Sequence, residues 1–420
     1  MGEWKEVSGG VCAPKGFRAG GIYCGIKASS KKRDLALIYS EKPCAAAAVF
    51  TTNKVKAASV LLSQEHVSLG VLRAIIANSG NANACTGEAG TAAAQKMADL
   101  AADLFAIPPT QVAVASTGVI GVPLNIAAIE SGIEALGNSL RGDEAGHAAA
   151  LEAIMTTDTR KKEASIEIDI GGIPVRIGGM AKGSGMIHPN MATMIGFITT
   201  DAAISREALD CCLRQAARRS FNRLSVDGDT STNDTVIVMA NGQAGNAEIG
   251  AGSGDAGASY ALFSEALEAL CVKLTRAMAR DGEGATRLVT VTVSGAKDED
   301  SAETLAKAVV SSSLVKAACF GADANWGRIL CAMGYSGAEF NPAEVNVSFA
   351  SGGGGNSAME EIAVCRGGAS LPFSEEDAKR ILSREEIEIR VKAGSGSGSA
   401  AAWGCDLTYD YVKINGDYRS

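Results

Sequence analysis

Short apolar strands alternate along this chain with alanine-rich helices, and this alternation limits the folds that the chain can adopt. Residues 73–77 are apolar enough for a buried strand, and an alanine-rich helix is predicted to follow over 88–105. A hairpin is predicted around Gly171 and Gly172, because apolar runs flank this glycine pair on both sides. Since crossover helices and hairpins occur together, we expect a layered α/β fold with a mixed sheet.

The pattern of strands and helices starts again near residue 295. We therefore predict a main body over about 1–290 and a smaller α/β domain over about 295–400. The glycine- and serine-rich run at 393–400 is typical of a linker. The amphipathic residues 403–414 are predicted to form one strand, in a tail (401–420) that returns to the body and its active site.

Composition argues against several classes of function. With 46% hydrophobic and 20% charged residues, the chain has the make-up of a globular protein. Its net charge of −8 argues against a nucleic-acid partner, and no apolar run reaches the roughly 18 residues that span a membrane. The eleven cysteines include no Cys-x-x-Cys pair, and the three histidines are far apart in sequence. We expect reduced thiols, a cytoplasmic location, no metal and no cofactor.

A glycine-rich loop runs into an apolar strand at the junction between Ala192 and Thr193. A threonine hydroxyl is a weak nucleophile and needs a base beside it. If the bond before Thr193 is broken, the released α-amine, with a reference pKa of about 7.7–8.0, can act as that base. The Thr193 hydroxyl could itself attack the Ala192 carbonyl, since Gly183 and Gly185 permit unusual backbone torsions. The same pattern also fits an ordinary junction between a loop and a strand.

Several other positions carry suitable chemistry, each with an ordinary alternative. Thr117 and Gly118 offer a hydroxyl and a backbone N–H that could hold an oxyanion, or they could simply join a strand to a helix. Lys182 could bind a substrate carboxylate or lie exposed in its loop. Glu283 could bind a substrate ammonium or be a solvated turn residue. The aspartates between 227 and 234 lack the spacing of a calcium loop and are predicted to support a turn and a polar network.

Eight segments spread along the chain carry specific motifs. They lie at 77–87, 116–121, 155–159, 182–194, 225–235, 280–286, 321–328 and 403–415. One of the two longest reads Lys-Gly-Ser-Gly-Met-Ile-His-Pro-Asn-Met-Ala-Thr-Met, from Lys182 to Met194. Together the segments resemble the ArgJ-type glutamate N-acetyltransferases, also called ornithine acetyltransferases, of arginine biosynthesis. The resemblance covers essentially the whole chain.

This resemblance implies self-cleavage between Ala192 and Thr193 into an α chain (1–192) and a β chain (193–420), with Thr193 as nucleophile. It implies an oxyanion hole formed by Thr117 and Gly118. The residues implied to bind substrate are Thr156, Lys182, Thr193, Glu283, Asn415 and Ser420. The implied fold is an α/β sandwich like that of the DmpA-type aminopeptidases, similar in logic to N-terminal nucleophile hydrolases. The implied assembly is a pair of αβ units, α2β2.

The activity implied is acetyl transfer from N-acetylornithine to glutamate, by a ping-pong mechanism through acetyl-Thr193. Acetyl-CoA is expected as a second acetyl donor, which would make the enzyme bifunctional. One alternative is a threonine-nucleophile aminopeptidase or amidase of the same fold, which passes the acyl group to water. Another is a binding module without activity. Self-cleavage would exclude the binding module. It predicts fragments of about 20 and about 23 kDa from the 42.8 kDa chain.

Overall fold

The computed structural model describes residues 4–27, 30–188, 194–250, 255–352 and 359–416 of the 420-residue chain. The chain divides into two compact units. The first unit contains the described residues of 1–183, 189–222 and 230–274, and the second contains those of 184–188, 223–229 and 275–420. In the C-terminal part of the chain the second unit therefore begins at residue 275, before the predicted limit of the main body at about 290. Two short segments from earlier in the sequence also join the second unit.

The strands and helices follow one another along both units. The strands are β1 (Lys5–Glu6), β2 (Phe17–Ile22), β3 (Leu35–Phe50), β4 (Val71–Asn81), β5 (Val112–Val119), β6 (Lys162–Ile170), β7 (Ile173–Lys182), β8 (Ile195–Thr200), β9 (Leu224–Ser225), β10 (Thr235–Ala240), β11 (Leu288–Ala296), β12 (Asn346–Ser351), β13 (Glu360–Arg366), β14 (Ala369–Ser370), β15 (Glu386–Lys392) and β16 (Gly398–Cys405). The helices are α1 (Ala58–Ser68), α2 (Gly87–Asp103), α3 (Ile126–Asn138), α4 (Glu144–Ile154), α5 (Arg206–Arg219), α6 (Asp255–Arg280), α7 (Glu299–Ser311), α8 (Ser313–Phe320), α9 (Trp326–Gly334), α10 (Glu375–Leu382) and α11 (Tyr409–Gly416).

The first unit is built on a mixed sheet. Its nine strands within the described residues follow the order β1-β6-β7-β8-β10-β3-β4-β5, with β2 paired to β3. Two pairs, β8 with β10 and β4 with β5, are parallel, and the others are antiparallel. The predicted hairpin is confirmed as β6 and β7, joined by Gly171 and Gly172 at φ of 63° and 84°. The mixed α/β fold expected from the sequence is therefore confirmed.

Helices cover both faces of this sheet around β3, β4 and β5. On one face, Leu37 belongs to an apolar cluster with Met97 of α2 and Ile133 of α3. On the other face, Ile38 belongs to a cluster with Leu151 of α4. Neighbouring residues of one strand thus face opposite helical layers, which explains why these strands read as continuous apolar runs.

The second unit has a sheet of its own. Its seven strands within the described residues follow the order β14-β13-β12-β15-β11-β16-β9. Val291 and Ile389 of this sheet belong to an apolar core with Val309 of α7, Met333 of α9 and Leu382 of α10. Strand β15 alternates buried with more exposed residues, so one of its faces packs into that core.

The C-terminal segment differs from the prediction of one strand over 403–414. Strand β16 ends at Cys405, and helix α11 begins at Tyr409. The hydroxyl of Thr408 accepts a hydrogen bond from the backbone N–H of Tyr411 (3.3 Å), an arrangement that favours the start of a helix. Strand β16 pairs with β11 and with β9, so it completes the second sheet and contacts a segment from earlier in the chain.

Candidate active site

Three predicted site residues meet at the end of β7, in the first unit. Lys182 is the last residue of β7 and is only 8% exposed. Its Nζ donates hydrogen bonds to the hydroxyl of Thr156 (2.7 Å) and to the hydroxyl of Thr117 (3.3 Å). This burial excludes the alternative of an exposed loop lysine. An ammonium beside two hydroxyl groups is chemically suited to bind a carboxylate.

Thr117 and Gly118 lie at the end of β5, where the backbone is tightly constrained. Gly118 has a φ of +135°, and a Cβ on it would lie 2.3 Å from the carbonyl carbon of Gly80 in β4. The side-chain amide of Asn233 donates to the carbonyl oxygen of Ser116 (2.7 Å), which fixes the residue just before this pair. The Thr117 hydroxyl accepts from a lysine and can still donate its own proton. An oxyanion hole formed by Thr117 and Gly118 stays a prediction. A constrained backbone is suited to that role.

The glycine-rich segment 184–188 belongs to the second unit, where Asp227 supports it. The Asp227 carboxylate accepts hydrogen bonds from the backbone N–H groups of Met186 (2.6 Å) and Ile187 (2.8 Å). The Ser184 carbonyl oxygen accepts one from the backbone N–H of Glu283 (2.8 Å). This confirms the network role predicted for Asp227.

Glu283 and Asn415 also meet within the second unit. The side-chain amide of Asn415 donates to the Glu283 carboxylate (2.9 Å) and to the carbonyl oxygen of Tyr411 (3.1 Å). Glu283 is only 7% exposed, and a Cβ on Gly185 would lie 2.2 Å from one of its carboxylate oxygens. This carboxylate is therefore not a solvated turn residue. An amide partner is neutral, so the carboxylate can still attract a substrate ammonium.

The predicted site residues fall into three groups. Those in the first unit are Thr117, Gly118, Thr156 and Lys182, and those in the second unit are Glu283 and Asn415. Ala192, Thr193 and Ser420 lie outside the described residues. The described residues contain no cluster of His, Cys, Asp and Glu side chains able to bind a metal ion. None of the described helices is both long and apolar enough to cross a membrane.

Comparison with known proteins decides the family. The profile of the ArgJ family matches residues 18–420. The chain belongs to the ArgJ family. The arginine biosynthesis bifunctional protein ArgJ of Symbiobacterium thermophilum is 52% identical over 419 residues, which cover 100% of each chain. The protein of the same name from Caldanaerobacter subterraneus subsp. tengcongensis is 50% identical over 414 residues, or 99% of each chain.

Solved structures of ArgJ proteins are also similar to parts of this chain. The crystal structure of arginine biosynthesis bifunctional protein ArgJ from Bacillus halodurans is 44% identical, with a TM-score of 0.49, and covers 53% of this chain and 99% of that chain. The crystal structure of ornithine acetyltransferase complexed with ornithine, from Mycobacterium tuberculosis, is 42% identical, with a TM-score of 0.43, and covers 45% of this chain and 100% of that chain.

Two charged residues next to the Lys182 cluster of this ArgJ-family chain had no role in the sequence prediction. They are Asp158 and Lys162, whose side chains form a buried ion pair. Asp158 lies within the matched segment 155–159, and Lys162 follows it by four residues. The available signal was a pair of opposite charges at this spacing, where an apolar strand begins. Sequence alone gives no reason to expect these charges to be buried.

In this ArgJ-family chain, Gly118→Ala is expected to lower the free energy of unfolding by about 2–5 kcal/mol. The reasons are the positive φ of Gly118 and the 2.3 Å approach of a Cβ to the Gly80 backbone. Gly121→Ala is the matched control, since Gly121 has a φ of +79° but no atom within 4 Å of its Cβ position. Gly121→Ala should lower the free energy of unfolding by only about 1–2 kcal/mol, measured by urea denaturation followed by circular dichroism. Equal losses in the two variants would contradict the importance of the close backbone approach.

Proposed function

We propose that this chain transfers an acetyl group from N-acetylornithine to glutamate, with Thr193 carrying the acetyl group between them. The observation that carries the proposal is the buried cluster in which Lys182 donates to the hydroxyls of Thr156 and Thr117. Both substrates have a carboxylate on the α-carbon, and such a cluster can bind it in the same way each time. Relatives that share half of this sequence over its full length are named for arginine biosynthesis, which supports this substrate class.

In the first half-reaction, the Thr193 oxygen attacks the acetamide carbon of N-acetylornithine while its proton passes to the Thr193 α-amine. Self-cleavage at Ala192–Thr193 is what supplies that free amine. The oxyanion that forms accepts hydrogen bonds from the Thr117 hydroxyl and the Gly118 backbone N–H. The carbon–nitrogen bond then breaks, and the proton on the α-amine passes to the leaving nitrogen. Ornithine departs, and an acetyl ester remains on Thr193.

In the second half-reaction, the α-amine of glutamate attacks the ester carbon, and the same two donors hold the oxyanion. The Thr193 α-amine takes the extra proton from the attacking nitrogen and passes it to the Thr193 oxygen as the carbon–oxygen bond breaks, and N-acetylglutamate is released. One site can serve both half-reactions because the two amino acids share the α-carbon and its carboxylate. Glu283 and Asn415, together with Ser420, are proposed to bind the charged nitrogen of the substrate, which in N-acetylornithine is the side-chain ammonium.

Acetyl-CoA is proposed as a second donor. It would acetylate the same Thr193 oxygen with loss of the CoA thiol, and glutamate would again take the acetyl group. The word bifunctional in the names of the relatives fits two such donors. We further propose that two self-cleaved αβ units assemble as α2β2 and act in the cytoplasm.

The test of this function is a two-step experiment on the purified protein. Incubation with N-acetylornithine should add one acetyl group to the peptide that begins with Thr193, as seen by mass spectrometry. Glutamate should then remove it and yield N-acetylglutamate. Release of acetate alone, with no dependence on glutamate, would favour an aminopeptidase or amidase. An uncut chain that gains no acetyl group would favour a binding module.

A further inference from the structure

Asp158 is a buried carboxylate that contacts several separate parts of the first unit. Its Oδ1 accepts hydrogen bonds from the backbone N–H of Gly183 (2.8 Å) and from the Nζ of Lys162. Its Oδ2 accepts one from the backbone N–H of Thr156 (2.9 Å) and lies 4.0 Å from the Nζ of Lys182. One side chain therefore holds the backbone at Thr156 and next to Lys182, two of the three residues of the proposed carboxylate site.

The ion pair of Asp158 and Lys162 has 0% of either side chain exposed. Taking two charges out of water costs as much as, or more than, their attraction returns, so such a pair is weak evidence for a stabilising role. A well-packed apolar pair of similar size would serve stability at least as well. The pair is better explained by what it does to the neighbouring Lys182.

The effect of the Asp158–Lys162 pair on Lys182 is electrostatic. Lys162 offsets the charge of Asp158, so Asp158 attracts Lys182, at 4.0 Å, less strongly than a carboxylate without Lys162 would. Burial would raise the pKa of Asp158, but attraction by Lys182 and Lys162 outweighs burial and holds that pKa well below its ordinary value. The carboxylate therefore stays ionised throughout the neutral and alkaline range.

Lys27 is a further cation that acts on this cluster. Its Nζ donates to the carbonyl oxygens of Met155 and Arg33, each at 2.8 Å. Burial lowers the pKa of Lys27 to about 8, and repulsion by Lys32 and Lys182 adds to this, although attraction by Asp34 opposes it. Attraction by Asp158 also favours the charged form of Lys27, so Asp158→Asn lowers the pKa of Lys27 as well, and the labelling readout described below is therefore taken on Lys182 itself.

We infer that Asp158 and Lys162 are positioning residues of the acetyl-transfer site, whose buried ion pair keeps Lys182 charged and available to the substrate carboxylate. This inference rests on the proposed function of Lys182. Without the Asp158 carboxylate, two ammonium groups repel each other, so Lys182 loses its proton at lower pH. Without the Lys162 ammonium, Asp158 attracts Lys182 unopposed, raises its pKa and competes with the substrate.

The experiment compares Asp158→Asn, Lys162→Met and the double variant. The kcat/KM for N-acetylornithine is measured against pH. Its acetylated α-nitrogen does not titrate, and the titration of its side-chain ammonium is common to the wild-type protein and the variants. Binding by Lys182 is present below its pKa and is lost as pH rises through that value. Asp158→Asn should move this alkaline limb to lower pH by about 1 unit and raise KM more than it lowers kcat. Lys162→Met should move the limb to higher pH and also raise KM.

The double variant has the same net charge as the wild-type cluster, so its alkaline limb should return close to the wild-type position. A second readout does not depend on activity. The pKa of Lys182 is taken from the pH dependence of its labelling by acetic anhydride, followed by peptide mass spectrometry. It should fall in Asp158→Asn, rise in Lys162→Met and recover in the double variant.

The outcomes separate this inference from the proposed function. If the wild-type protein transfers acetyl but the pKa of Lys182 is unchanged in Asp158→Asn and in Lys162→Met, the pair is only structural and the inference is overturned. If the wild-type protein transfers no acetyl group, the proposed function fails, whatever the labelling shows. If Asp158→Asn does not fold, as judged by circular dichroism, Lys162→Met decides alone, because only an electrostatic role predicts its opposite shift.

Discussion

Thr193→Ala is expected to leave a single 42.8 kDa chain and to lower the acetyl-transfer rate by at least about 10⁴-fold. Alanine has no hydroxyl, so it can neither attack the Ala192 carbonyl nor carry the acetyl group. The chain would also stay uncut, and no α-amine would be released to act as base. Denaturing electrophoresis and the transfer assay with N-acetylornithine and glutamate measure the two effects.

Two control variants sharpen this experiment. Thr193→Ser keeps the hydroxyl and should still yield fragments of about 20 and about 23 kDa, with measurable activity. Thr91→Ala removes a hydroxyl from an exposed position of α2 and should change neither cleavage nor activity. Cleavage at the wild-type rate in Thr193→Ala would refute the nucleophile assignment.

Lys182→Met should reduce kcat/KM for N-acetylornithine and for glutamate by about 10²- to 10³-fold, mostly through KM. The ammonium of Lys182 is nearly buried, and methionine fills similar space without any charge. A substrate carboxylate would then enter a site with no cation at this position. Losing one partner of a buried charge pair typically costs about 2–5 kcal/mol, which sets the size of the effect.

The matched control is Lys161→Met, which removes a lysine charge from an exposed position on the same unit. It should leave both substrate KM values unchanged. A further control is the carboxamide of N-acetylornithine, which has no negative charge for Lys182 to bind. The wild-type enzyme should discriminate strongly against this carboxamide and Lys182→Met only weakly. Equal discrimination by the two proteins would show that Lys182 binds some other group.

Local features of the fold were predictable because short-range chemistry decides them. The hairpin of β6 and β7 follows from two adjacent glycines, which adopt positive φ angles at little cost. The turn at 227 was predictable because an aspartate can accept a hydrogen bond from the backbone N–H two residues later, as Asp227 does from Asp229 (3.2 Å). The strand predicted over 403–414 was wrong because its amphipathic pattern does not show where Thr408 ends the strand and starts α11.

The roles of charged residues were harder to predict because burial is a property of the whole fold. Lys182 could be a ligand-binding or an exposed lysine, and only its contacts with Thr117 and Thr156 distinguish these roles. Asp158 stood in a recognised motif, yet nothing in the sequence showed that its carboxylate contacts the backbone of Gly183.

The sequence by itself determined the family, the chemical type of the predicted nucleophile and the positions where glycine is required. These depend on the identity of single residues and on torsions within a few bonds. Only the tertiary structure decided which distant residues meet: Thr117 reaches Lys182 across 65 positions of the chain, and Asn415 reaches Glu283 across 132. The physical reason is that sheet pairing and core packing bury some charged groups and leave others in water. Which charged groups are buried side by side decides which of them can act together.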